Sequence, residues 1–272
     1  MTSRNVSRRF ALKSAAGAIA ATTFAQGRKK ALALIGDRYH NPDYIQVALE
    51  KMFDGLNVSV EFTNQLAALS KDRLKDCQLF LCLRDGMVWP GGYLGPDAYT
   101  HYSAGLEDKD DFPSPIAKPW LKEEQAVALK EFVNAGNGFY SLHNNSHVSL
   151  SSKTYRDVQG GAYVGHPALR PFKVKVINPG HPITQGISDF IVNDEQHYVE
   201  YDKDPKYLIL QSENIDGLNY GKHGKTSPAG WAYDYGKGRV VFTAVGHTIH
   251  ALWQPEYLKL QRRAVQWLLK EI

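Results

Sequence analysis

Four short segments of this 272-residue chain gather the side chains able to do chemistry: SLHNNSH, GGAYVGHP, NDEQHY and AVGHTIH. They hold His143, His147, His166, Asp194, Glu195, His197, His247 and His250, six of the ten histidines in the sequence. Imidazole titrates near neutrality and ligates borderline cations, so this gathering suits acid–base work or a divalent metal such as zinc. His143 ends the apolar run GFYSLH, and His247 ends VVFTAVGH with Gly246 just before it. Both therefore fall where a buried strand gives way to a polar turn. Glu195 lies beside Asp194 and two residues before His197. It reads either as a base whose pKa the neighbouring carboxylate raises, or as a metal ligand.

His143, Glu195 and His247 are the expected catalytic residues, and the same three are the expected ligands if a metal is bound. Their spacing matches no local metal motif. His143 and His147 are four apart, but Asn-Asn-Ser stands between them and the glutamate of HExxH is missing. A site assembled from separate strand ends escapes any spacing rule, so this does not exclude one. The competing readings are a neutral, hydrogen-bonded histidine that shapes its turn and a solvated turn carboxylate. His181, in GHPIT, is expected only to orient a loop. No cofactor fingerprint appears: LIGDRYHNPD supplies only Gly36 after the first strand, and GKGRV lacks the P-loop pattern. Cys77 and Cys82 share CQLFLC; read as one strand they face opposite sides, which gives inert thiols and no disulfide.

The elements that must position these residues are those of an α/β domain. KALALIGD, NVSVEF and QLFLCLRDG read as strands, and PDYIQVALEKMFDG and the short SKDRLKD as helices between them. That alternation predicts a right-handed parallel sheet. LKEEQAVALKEFVNAG is a helix ending at Gly136, followed by the strand GFYSLH. In open parallel sheets ligands bind beyond the carboxyl ends of the strands, which is where His143 falls. The stretch from Asn144 to Pro167 reads as looping. PFKVKVIN, YLILQSE, PAGWAYDYG and KGRVVFTAVGH are further strands, and PEYLKLQRRAVQWLLKEI closes the chain as a helix, with Leu258, Val265, Leu268 and Ile272 on its buried face.

Residues 87 to 118 interrupt this order with glycine, proline and aromatic residues. An excursion of that length is either a surface packing feature or a binding wall, and Trp89, Tyr93, Tyr99 and Tyr102 offer flat rings of the kind that stack on sugars. Trp89 and Tyr93, with His166 and His197, are the expected substrate contacts.

The first 26 residues read as an export signal. Arg8 and Arg9 form a twin-arginine pair in SRRFALK, followed by an Ala-rich run too short to span a membrane. The expected location is the periplasm or beyond. Arg4, Arg8, Arg9 and Lys13 are its only charged side chains, so the remaining chain carries 28 basic residues against 28 acidic ones. That balance gives no electrostatic footprint for nucleic acid. The remaining 246 residues, with no linker composition or internal repeat, fit one domain, residues 27–272.

Taken together, FVNAGNGFYSLHNN, GGAYVGHP, NPGHPITQGISDFIVNDEQHY, PAGWAYDYGKGRVVFTAVGH and PEYLKLQRRAVQWLL resemble the ThuA-like domains, the family associated with trehalose utilisation, within the class I glutamine amidotransferase-like superfamily. The resemblance implies a flavodoxin-like three-layer α/β sandwich with a mostly parallel central sheet. It also implies a strand-to-helix elbow, at which related amidotransferases keep a cysteine nucleophile and this chain has His143. With no cysteine there, glutamine hydrolysis through a thioester is not expected. The family's link to carbohydrate metabolism, including operons that oxidise glycosides at C3, implies a small carbohydrate or glycoside as substrate. It further implies a 3-keto sugar whose carbonyl acidifies the neighbouring C–H for enolisation, isomerisation or elimination, and a sugar-oxidising partner enzyme or a homo-oligomer as associates. A non-catalytic carbohydrate-binding domain on the same fold is the alternative. A glycosidase would need two facing carboxylates, for which Glu195 has Asp194 or Asp37 as candidate partners.

Overall fold

The structure, a computed structural model, describes residues 27–90 and 117–272. The expected export signal, Tyr93, Tyr99 and Tyr102 lie outside them. Strand β1 (Lys29–Ile35) leads into α1 (Pro42–Phe53), β2 (Val58–Thr63), α2 (Lys71–Leu74) and β3 (Leu79–Leu83). A small antiparallel pair, β4 (Met87–Val88) with β5 (Lys118–Pro119), brackets the aromatic excursion. Then come α3 (Glu123–Asn134), β6 (Gly138–Leu142), a 3-10 stretch from His143 to Leu150, α4 (Lys153–Gln159) and β7 (Gly161–Gly165). The last part is β8 (Arg170–Val176), β9 (Phe190–Asp194), β10 (Tyr198–Tyr201), β11 (Leu208–Asn214), β12 (Thr226–Tyr235), β13 (Gly238–Thr243), α5 (Ile249–Leu252) and α6 (Pro255–Leu268).

A nine-stranded sheet runs in the order β2-β1-β3-β6-β13-β12-β11-β8-β9. From β2 to β13 every neighbour is parallel, as the βαβ alternation predicts, and β3 and β6 are buried along their whole length. Beyond β13 the pairing is antiparallel: β11, β12 and β13 follow one another, as do β8 and β9, and β11 pairs back onto β8. Helices α1, α5 and α6 pack on one another, and α2, α3 and α4 form a second group. Both groups pack on β13 with no extensive contact between them, as helices on opposite faces of the parallel half do. This is the expected α/β sandwich.

Local chemistry explains where the elements start. Asn41 caps α1 by accepting the Asp43 N–H, with Pro42 at the first helical position. The stretch expected to loop after Asn144 instead holds α4 and β7. Ser152 caps α4 through the Tyr155 N–H, and Gly160 ends it in the left-handed conformation. The buried face of α6 also differs from the expected one. Tyr257, Leu260, Ala264, Val265 and Leu268 are buried, whereas Leu258 is only partly so. The helix ends at Leu268 and Lys270 turns left-handed, so Ile272 lies past the helix and is exposed. Cys77 precedes β3 and is half-buried, Cys82 is buried on it, and both are free.

Candidate functional site

The loops that follow β1, β3, β6 and β13 meet at the carboxyl edge of the parallel half, and each delivers polar side chains. After β1 come Asp37 and His40; after β3, Asp85; after β6, His143, Asn144 and His147; after β13, His247. His143 adopts φ 51°, a left-handed conformation that a residue with a Cβ rarely takes. The turn tolerates it because Gly246 lies against it: a Cβ on Gly246 would come within 2.6 Å of the His143 Cβ. The antiparallel half curls back over this edge. Asp194, fully buried at the end of β9, accepts the N–H groups of Gly246 and His247 and so fixes the β13 loop. Glu195 and His197 follow in the link to β10, and His166 follows β7, the partner strand of β10.

One carboxylate oxygen organises the site. Glu195 Oε2 lies 3.2 Å from His247 Nδ1, 3.5 Å from His143 Nε2, 3.5 Å from His197 Nε2 and 3.6 Å from His166 Nε2. His40, which the sequence reading did not single out, adds its Nε2 at 3.0 Å from His247 Nδ1. Ligand atoms of His40, His143, Glu195 and His247 all lie within 4.8 Å of one another, and those of His166, Glu195 and His197 form a second such group. Around a tetrahedral zinc with bonds of about 2.0–2.2 Å, ligand atoms stand about 3.3–3.6 Å apart, and the His40–His247, His247–Glu195 and His143–Glu195 separations of 3.0, 3.2 and 3.5 Å lie near that spacing.

The outer partners settle which ring nitrogens carry protons. His143 Nδ1 lies 2.7 Å from the Ala244 carbonyl, which only accepts, so Nδ1 is the donor. His40 Nδ1 lies 2.9 Å from Asp37 Oδ1, to which it donates, with the Asn144 amide nitrogen 2.8 Å from the same ring nitrogen. The Nε2 lone pairs of both rings therefore point inward, in the arrangement by which outer carboxylates and carbonyls orient metal-binding histidines. His143 Nε2 and both ring nitrogens of His197 are buried without a hydrogen-bond partner. Burial lowers the pKa of His143 and, more strongly, of His197, which disfavours adding a second proton to either. Burial would raise the Glu195 carboxyl, but His143, His197 and His247 outweigh it and hold the group well below the ordinary carboxylate range. His247 differs: burial works downward, yet Glu195, Asp194 and Asp37 raise its pKa above the usual imidazole value. A cleft of about 590 Å³ opens beside this cluster, lined by Tyr39, His40, Trp89, His147, Tyr163 and His166 among others. Its size falls within the roughly 300–1,000 Å³ of small-molecule sites.

A sequence model of the family described as ThuA, trehalose utilisation, matches residues 111–268, more than half the chain. The chain belongs to the ThuA family. Two solved structures similar to this ThuA chain are ThuA-like proteins of Bacteroides uniformis and Parabacteroides merdae. The first has TM-score 0.61 and 14% identity over 91% of this chain and 94% of that one. The second has TM-score 0.63 and 14% identity over 89% and 90%. A β-galactosidase from Bacillus circulans sp. alkalophilus contains the same fold in part, with TM-score 0.54 and 12% identity over 90% of this chain and 31% of that enzyme. No curated protein sequence matches the chain. At these identities the solved structures establish the fold.

In this ThuA-family chain the three expected catalytic residues, His143, Glu195 and His247, come together from β6, β9 and β13. Of the expected substrate contacts, Trp89, His166 and His197 line the cleft, while Tyr93 is outside the described residues. His181 accepts the Ile183 N–H through Nδ1 and so shapes its turn. The two-carboxylate arrangement of a glycosidase is not formed by the candidates considered. Asp37 spends its oxygens on His40, Asn144 and the Asp85 N–H, and Asp194 spends its own on backbone N–H groups. His40, Asp85 and Asn144 were missed as site residues, and Asp37 was considered only as a facing carboxylate for Glu195. The signal was available for Asp37 and His40, since GDRYH ends a strand just as SLH and AVGH do.

Proposed function

We propose that this protein is an exported carbohydrate-processing enzyme that binds one divalent cation, such as zinc, through His40, His143, His247 and Glu195, and enolises an oxidised (3-keto) sugar or glycoside. The observation that supports it is the convergence of lone pairs. His143 Nε2, with the Nδ1 proton of its ring committed outward, faces the Glu195 carboxylate without a hydrogen-bond partner, and His40 Nε2 meets His247 Nδ1 at 3.0 Å beside the same carboxylate. A carboxylate ringed by imidazole nitrogens, with the buried His143 lone pair unpartnered, suits a positive charge at its centre.

A cation held there would polarise the substrate carbonyl as a Lewis acid. The remaining work falls to side chains. His147, with Nδ1 3.3 Å from Asp85 Oδ2, lines the same cleft and takes the proton from the carbon next to the carbonyl. The C–H electron pair becomes a C=C bond, and the carbonyl pair moves onto oxygen. Return of the proton to the former carbonyl carbon, while the neighbouring hydroxyl gives its proton to the former carbonyl oxygen and becomes the new carbonyl, isomerises the sugar. Alternatively, the enolate pair expels the anomeric oxygen, which leaves with its substituent and takes a proton. Trp89, Tyr39 and Tyr163 wall the ring. Residues 1–26 direct the chain through the twin-arginine route to the periplasm or beyond, where a sugar-oxidising enzyme supplies the ketone.

The test is hydrogen exchange in D2O, followed by proton NMR on a 3-keto glycoside. Zinc-loaded protein should wash out the signal next to the carbonyl faster than buffer does, and chelated protein should not. Exchange at the buffer rate with loaded protein would overturn the enolisation reading, and binding of the same sugar without exchange would mark a carbohydrate-binding domain instead.

A further inference from the structure

The four-ligand centre leaves two histidines unexplained. His166 Nδ1 lies 2.9 Å from the carbonyl of Pro167, which only accepts, so in the neutral ring the proton is on Nδ1. Its Nε2 lone pair then faces Glu195 Oε2 at 3.6 Å, again acceptor against acceptor. His197 is 2% exposed and stacks between His143, at 3.9 Å between ring centroids, and His166, at 5.1 Å. Neither of its ring nitrogens has a hydrogen-bond partner, and its Nε2 stands 3.5 Å from the same Glu195 oxygen. A stacked, buried imidazole with two idle nitrogens has no structural reason to displace an apolar ring, since each unpaired polar group in the interior destabilises the fold. Both histidines and Glu195 line the open cleft.

We infer that His166 Nε2, His197 Nε2 and Glu195 hold a second divalent cation on the cleft side, with Glu195 bridging it to the four-ligand centre. This rests on the reading of that centre as a cation site. The two ligand groups share only Glu195, and both gather around its Oε2, so the cations would flank that oxygen in the range of about 3.5–4 Å known for paired-metal sites. The outer site has three protein ligands, so its remaining positions face the cleft and take oxygen from the ligand. A pair of cations with open positions on one side selects substrates that present two adjacent oxygens, a carbonyl beside a hydroxyl. Glu195 together with buried Asp37 and Asp194 offsets part of the cations' charge from the protein side. The substrate class is therefore an α-hydroxyketone sugar that chelates through both oxygens.

The test is calorimetric titration of chelator-stripped full chain with Mn²⁺ and with Zn²⁺, together with the electron paramagnetic resonance spectrum of the manganese form. The expected result is two cations per chain with an exchange-coupled spectrum in the wild type. His197→Ala and His166→Ala should each bind one cation and give an uncoupled spectrum. The half-exposed His166 serves as the second variant if loss of the buried ring unfolds the first. One cation per wild-type chain, unchanged in both variants, would overturn the outer site and leave the four-ligand centre standing. No cation in the wild type would overturn both.

Discussion

Asp37→Asn is the most informative single change, because Asp37 joins three of the loops that form the site. Its side chain is 1% exposed; Oδ1 accepts from Tyr39 and His40, and Oδ2 from the Asp85 N–H and the Asn144 amide. Burial works to raise its pKa, but His40, the Asp85 N–H and Asn144 outweigh it and bring it from 3.8 to about 2. That drop corresponds to about 2 kcal/mol of preference for the anion in the folded state. A depressed carboxylate stabilises the fold fully above its unfolded pKa, and the contribution disappears as pH falls from about 4 toward 2. Asparagine keeps the shape but not the charge, and turns an N–H toward the Asp85 N–H or toward His40. Urea unfolding at pH 7 should therefore show the variant less stable by about 2 kcal/mol, with the gap shrinking as pH falls through this window. Because Asp37 orients His40, zinc affinity should also fall by about 10- to 100-fold, as outer-partner changes typically cause. Equal stability at pH 7 together with equal zinc affinity would refute the reasoning.

Other consequences follow from the same geometry. His147→Gln should slow hydrogen exchange on the keto substrate by about 10²- to 10⁴-fold while cation stoichiometry, read by elemental analysis, stays the same; lost cation would remove His147 from the role of base. Gly246→Ala should cost about 1–3 kcal/mol in denaturant unfolding and weaken cation binding, since the new Cβ would press on the His143 Cβ at 2.6 Å. A variant as stable as the wild type would show that the elbow has room. Zinc affinity should fall with acid. His247 has a raised pKa, so below it a proton competes for the atom the cation needs, and affinity drops by about tenfold per pH unit per proton displaced, while above it the dependence on this group levels off. Titration calorimetry between pH 8 and pH 5.5 would contradict this by giving a constant affinity.

The parallel half was legible because β1, β3 and β6 are short apolar runs separated by capped helices, patterns that local physics dictates. His143 and His247 were legible for the same reason: each ends such a run, and strand ends of a parallel sheet share one edge. The antiparallel half was less so. β9 and β10 are half-polar strands, and the placement of Glu195 beside β13 depends on Asp194 capturing two backbone N–H groups, a contact 52 residues away in sequence. α4 and β7 were concealed by polar composition, although Ser152 and Gly160 carried the start and stop signals. His40 escaped because its meaning comes from Asp37 on one side and His247 on the other, and only the fold makes those neighbours. The α6 face was displaced for a local reason, since helical spacing alone does not decide between Leu258 and Leu260 once the helix stops at Leu268.

The central claim is that a cation belongs among His40, His143, His247 and Glu195. The most direct measurement is anomalous diffraction at the zinc edge from crystals of zinc-loaded protein. The account predicts a peak about 2 Å from His40 Nε2, His143 Nε2, His247 Nδ1 and the Glu195 carboxylate. Loaded crystals with no peak at that position, and direct hydrogen bonds joining the three rings to Glu195 in its place, would contradict it.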